Sequence, residues 1–162
     1  MKISNLYSIK PLKAVPKWLP VNFAIFSFLG FLDAAYLTAE HYLGLPLPCS
    51  ILQGCEQVTN SPYSVFIGVP VALFGAVYYL AIFILITAYF DSGRTKILSF
   101  LAHFTVLGLL TSLYFLYLQL FVIGAVCIYC LGSAVTSALL FVLGVMVIKL
   151  ENTNPAKDEI YA

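Results

Sequence analysis

Four cysteines carry the reactive chemistry of this 162-residue chain, and they fall into two pairs. The first is Cys49 and Cys55, with five residues between them in "PLPCSILQGCEQVTNSPY". Pro46, Pro48, Gly54 and Pro62 mark the surrounding backbone as loop. The second is Cys127-Ile128-Tyr129-Cys130, in "GAVCIYCLGS". Cys-x-x-Cys at a helix start is a redox arrangement, because unpaired N–H groups and the helix dipole favour the thiolate. The thiolate is the species that attacks a disulfide. Each pair also admits a plainer reading. Spacing fixes neither connectivity nor role, so the loop pair reads equally as a static staple. Zinc is the alternative for the two pairs together, but Cys130 would lie a turn inside an apolar helix, and no His stands close in sequence.

The elements that position these cysteines are set by hydropathy. The chain is 62% hydrophobic and 9% charged, with no Asp, Glu, Lys or Arg between Ile97 and Ile148. Soluble domains carry about 25% charged residues, so this composition reads as an integral membrane protein. A net charge of +1 and the absence of a basic patch or Gly-rich phosphate loop point away from nucleic acid and nucleotides. Stretches of about 20 apolar residues predict four spans, at 18–41, 68–90, 96–121 and 127–149. Lipid cannot satisfy open backbone groups, so all four are expected to be helices. The expected fold is an all-α four-transmembrane-helix bundle over residues 18–150. It has a basic N-terminal segment 1–17, a cysteine-bearing loop 42–67 between the first two helices, and a polar tail 151–162. The N-terminal run is too long, and too interrupted by Asp33, for a cleaved leader.

Charge then orients the bundle. Lys2, Lys10, Lys13 and Lys17 precede the first span; Arg94 and Lys96 lie between the second and third; Lys149 and Lys157 follow the fourth. The 44–67 loop and the turn near 122–126 have no Lys or Arg. Positive charge stays cytoplasmic, so both termini are expected inside the plasma membrane. All four cysteines then gather at the extracytoplasmic face, the compartment in which disulfides persist. A mobile, exposed loop pair able to swing onto a fixed pair at the lip of a bundle would make an electron relay. In a membrane, the fixed pair's two-electron acceptor would be a lipid-soluble quinone.

Few other polar side chains fall inside the spans. Asp33 sits about halfway across the first and shares a helical face with Tyr36, Leu37 and Glu40. It reads as a neutral acid bonded to a neighbouring helix, or as a proton relay. Gln119, near the outer end of the third span, reads as a headgroup contact or as a quinone ligand. Phe115 shares its face, and Ser61 and Tyr63 follow the loop cysteines where a loop would cap a pocket.

These features together resemble the vitamin K epoxide reductase family, in its prokaryotic disulfide-forming branch. The matching residues are Cys49 and Cys55, Ser61 six residues on, "NSPYSVFIGVPVALFG", and "CIYC" opening the fourth span. The resemblance covers roughly residues 30–140. It implies a membrane thiol:quinone oxidoreductase in which Cys130 meets ubiquinone or menaquinone, Cys127 exchanges with Cys55, and Cys49 meets a thioredoxin-like protein. Ser61 is carried over as a quinone contact, alongside Tyr63, Phe115 and Gln119; Asp33 stands as the relay candidate, and no metal is implied. A tail ending "ENTNPAKDEIYA" suggests that the thioredoxin-like partner is a separate protein. Disulfide formation in secreted proteins would be the outcome, with quinone or vitamin K epoxide reduction as the chemistry at the acceptor end. Animal relatives place an Asn and a Tyr against the quinone, where this chain has Val71 and Ala134. The alternative is a non-enzymatic tetraspan membrane protein whose outside disulfides are structural.

Overall fold

The computed structural model describes residues 15–44 and 54–152. Cys49, most of the basic N-terminal segment and most of the polar tail lie outside the described residues. Four helices are long and apolar enough to cross a membrane. They are α1 (Trp18–Leu43), α3 (Val71–Ser92), α4 (Thr95–Tyr117, continued by a π-helical turn Leu118–Ile123) and α5 (Ile128–Asn152). A short helix α2 (Cys55–Thr59), a 3-10 turn (Pro62–Ser64) and a hairpin of β1 (Val65–Phe66) with β2 (Val69–Pro70) link α1 to α3.

Local chemistry explains where the helices stop. Gly44, Gly93 and Gly124 each adopt the left-handed conformation that closes a helix, with φ of 63°, 64° and 68°. The N–H of Gly44 returns to the Glu40 carbonyl at 3.0 Å, and that of Gly93 to Tyr89 at 2.8 Å. The second long helix begins at Val71 rather than at 68, because the preceding residues pair as antiparallel strands ending on Pro70.

The helices close a ring in which α1 packs on α3 and α5, and α4 packs on α5 and α3. One end of this ring is a filled core. Leu19, Phe23, Ile82, Ile86, Leu98, Leu101, Leu140 and Val147 are all buried there. Gly144 lets α5 approach α4 closely, since a Cβ at that position would come within 2.6 Å of Thr105 Oγ1. Outward-facing side chains such as Phe28, Ile84, Leu110 and Val142 are exposed and apolar, as a lipid-facing surface requires. At the opposite end the helices part, and every described cysteine lies there.

Candidate active site

The cysteine-bearing end is built around the start of α5. The Cys127 carbonyl accepts the Leu131 N–H at 3.0 Å, so Cys127 is the residue that caps the helix. The π-helical turn at the end of α4 holds that cap in place. Gln119 is buried, its backbone oxygen accepts the Ala125 N–H at 3.1 Å, and its side-chain Oε1 accepts the Cys127 N–H at 3.0 Å. An extra residue per turn lets the side chain of Gln119 reach forward over the following loop.

Cys127 and Cys130 are free thiols with different surroundings. Cys127 is fully buried, and Cys130 is half-buried. The Cys127 thiol is lowered to about 7, first because the Cys130 side chain hydrogen-bonds to its sulfur. Burial opposes the shift, and the N–H groups of Cys130 and Tyr129 at the helix start reinforce it. Tyr129, between the two cysteines, rests on Tyr36 of α1 with ring centroids 5.3 Å apart.

Cys55 is disulfide-bonded and fully buried. It shares one cluster with Val58, Ala125 and Cys127, against which Ile123, Tyr129 and Cys130 also pack. The picture of a wholly exposed loop pair therefore needs correction at Cys55. The turn of α2 gives Cys55 an inward face, and Gly54 allows backbone to touch backbone. A Cβ at Gly54 would lie 2.8 Å from both the N and the O of Val126.

Behind the Cys-x-x-Cys, the parted helices enclose a cavity of about 730 Å³. Cys130 lines it, whereas Cys127 is not among its walls. Asp33, Ser61, Tyr63, Phe115 and Gln119, read from sequence as relay or ligand candidates, all line the same cavity. So do the apolar Val71 and Ala134. Ser61 is oriented by donating its hydroxyl to the Val58 carbonyl at 2.7 Å. Small-molecule pockets run to about 300–1,000 Å³ with apolar walls and a few convergent polar groups, and a quinone head with part of its tail fits those terms. Among the described residues, no three His, Cys, Asp or Glu side chains form a metal-binding group.

Sequence reasoning missed one polar node on the cavity wall. The buried Tyr79 hydroxyl donates to the Ser133 carbonyl at 2.8 Å and meets Ser133 Oγ at 2.9 Å and Ser137 Oγ at 2.8 Å. Ser133 and Ser137 follow Cys130 by three and seven residues, one face of a helix, and that spacing was the available signal. Glu40, also on the wall, was seen only as a face-mate of Asp33.

The sequence model of the vitamin K epoxide reductase family matches residues 21–145. The thiol-disulfide oxidoreductase LTO1 of Arabidopsis thaliana is 36% identical over 129 residues, which is 74% of this chain and 34% of that protein. The chain thus spans about a third of the length of this curated relative.

Proposed function

The chain belongs to the vitamin K epoxide reductase family, and from that premise we propose a membrane thiol:quinone oxidoreductase working on the extracytoplasmic side. The observation that carries the reading is the serial placement of three sulfurs. Cys55 packs with Cys127, and Cys130 stands next along the helix on the wall of a quinone-sized cavity. Cys49 would take electrons from a thioredoxin-like dithiol, the Cys49–Cys55 disulfide would pass them to Cys127, and Cys127–Cys130 would deliver them to the quinone.

Each residue has a task in this scheme. Cys127, with a thiol lowered to about 7, is the nucleophile toward Cys55. Gln119 holds the cap from which it attacks. The N–H groups of Tyr129 and Cys130 stabilise its charge. Val71, Phe115 and Ala134 present an apolar wall suited to a quinone ring, and Ser61 and Tyr63 add polar groups to the same lining. The quinone, when bound, supplies the capacity to accept two electrons and two protons. The proposed orientation is supported by the Lys and Arg distribution, since the positive charge expected on the cytoplasmic side is absent from the cysteine-bearing loops.

The test is turnover of the purified chain in detergent. A reduced thioredoxin-like protein is supplied as electron donor, with ubiquinone or menaquinone as acceptor, and quinone loss is followed by absorbance. Turnover is expected to vanish with Cys→Ser at any of the four positions. Turnover that survives Cys130→Ser, or none with the unaltered protein, would overturn the reading.

A further inference from the structure

Two buried carboxyl oxygens in the cavity have no partner in the described chain. They are Asp33 Oδ2 and Glu40 Oε2; the Tyr78 hydroxyl on α3 is also unpartnered on this wall, but it stands alone there, with no second group to carry a proton on from it. Both residues line the cavity, and both belong to α1. They are seven residues apart, two helical turns, so they stand on one face about 10 Å apart along the axis. Glu40 lies one turn from the C-terminal end of α1, toward the cysteine-bearing surface, and Asp33 lies deeper. Glu40 also has a side-chain hydrogen bond with Tyr36, which leaves one oxygen of each acid open. An acid within a membrane is costly, so such residues commonly mark proton routes.

The neighbouring polar node cannot serve as the proton source. A tyrosine hydroxyl has one proton and two acceptor sites. Tyr79 donates its proton to the Ser133 carbonyl, and the hydroxyls of Ser133 and Ser137 occupy its remaining positions. That node fastens α3 to α5 and has nothing left to give. Gln119 is likewise committed through Oε1 to Cys127.

We propose that the Asp33–Glu40 face of α1 is the proton entry of the cavity, with Asp33 the acid that protonates the reduced acceptor and Glu40 its link to outside water. The inference rests on the quinone reading above. Forming the Cys127–Cys130 disulfide breaks two S–H bonds and makes one S–S bond, releasing two electrons and two protons. The quinone takes two electrons and two protons to become the quinol. The Cys130 proton is released inside the cavity. The buried Cys127 thiol faces the Cys55 cluster rather than the cavity, so its proton leaves on that side and not into the cavity. One proton must therefore enter by another route. Asp33 delivers it and recovers it through Glu40, so the overall reaction stays balanced.

The experiment follows the two half-reactions separately in anaerobic single turnovers. The first is quinone reduction by the prereduced protein; the second is reduction of the oxidised protein by dithiothreitol. Asp33→Asn is expected to slow quinone reduction by about 100-fold or more, the usual scale of a lost general acid. It should alter the dithiothreitol half-reaction only slightly, through the loss of a distant charge that acts against Cys127 ionisation. Formic or acetic acid should restore Asp33→Ala in proportion to concentration, which a structural role would not produce. Glu40→Gln should slow the same half-reaction by a smaller factor, and it decides the matter if the Asp33 variants fail to fold. Folded Asp33→Asn at the unaltered rate, Asp33→Ala indifferent to added acid, or Glu40→Gln without effect would overturn the proposal. Failure of the unaltered protein to reduce quinone would instead strike the quinone reading itself, and the proton path with it.

Discussion

Gln119 Oε1, on the π-helical turn that ends α4, accepts the backbone N–H of Cys127 at 3.0 Å across the Gly124 cap. The bond positions the nucleophilic cysteine. Gln119→Leu would leave the Cys127 N–H buried without an acceptor, a loss of about 1–3 kcal/mol. The expected result is a lower unfolding temperature in detergent and faster alkylation of Cys127 by N-ethylmaleimide, as the cap loosens. Alkylation at the unaltered rate would show that the backbone holds the cap unaided.

The Cys127 thiol should titrate well below an ordinary cysteine. The thiolate is the reacting form, so iodoacetamide should modify Cys127 about tenfold more slowly per pH unit below about 7 and reach a plateau above it. The groups facing it are the Cys130 thiol and the more distant Asp33 carboxyl, which acts against ionisation. Cys130→Ala removes the leading stabiliser, so the profile should move upward in pH. A profile that stays in place would transfer the effect to the helix N–H groups.

Cys55 and Cys127 share a buried cluster, and Gly54 permits it. With Cys49→Ser and Cys130→Ser combined, the two remaining cysteines should oxidise to a single Cys55–Cys127 disulfide, seen by gel shift after thiol labelling. Adding Gly54→Ala should sharply lower the yield, because its Cβ would collide with the Val126 backbone. Equal yields would mean that the loop reaches Cys127 by another route.

The four helices were legible because each apolar run is long and unbroken by charge, and a membrane leaves no other backbone solution. The Cys-x-x-Cys at a helix start was legible for a similar reason: Gly124 stops one helix, and Ile128 begins the next. What escaped depended on how the helices pack. Gln119 reads as a headgroup or ligand residue until a π-helical turn directs it at Cys127. Cys55 reads as exposed in a Pro- and Gly-rich loop until Gly54 brings that loop onto Val126. Tyr79 is one of two adjacent tyrosines, and only the packed bundle shows that its hydroxyl faces Ser133 and Ser137 while Tyr78 turns to Gly108.

The central claim is that electrons leave the Cys127–Cys130 pair for a quinone. The most direct measurement is a thiol count on the reduced protein, freed of reductant without air and mixed with ubiquinone or menaquinone. Maleimide gel shifts would be read beside Cys130→Ser. The account predicts loss of all four thiols with excess quinone in the unaltered protein, the Cys49 and Cys55 thiols following through Cys127–Cys130, and no loss in the variant. Thiols that persist with both quinones, in protein shown to be folded, would contradict it and favour disulfides with a structural role alone.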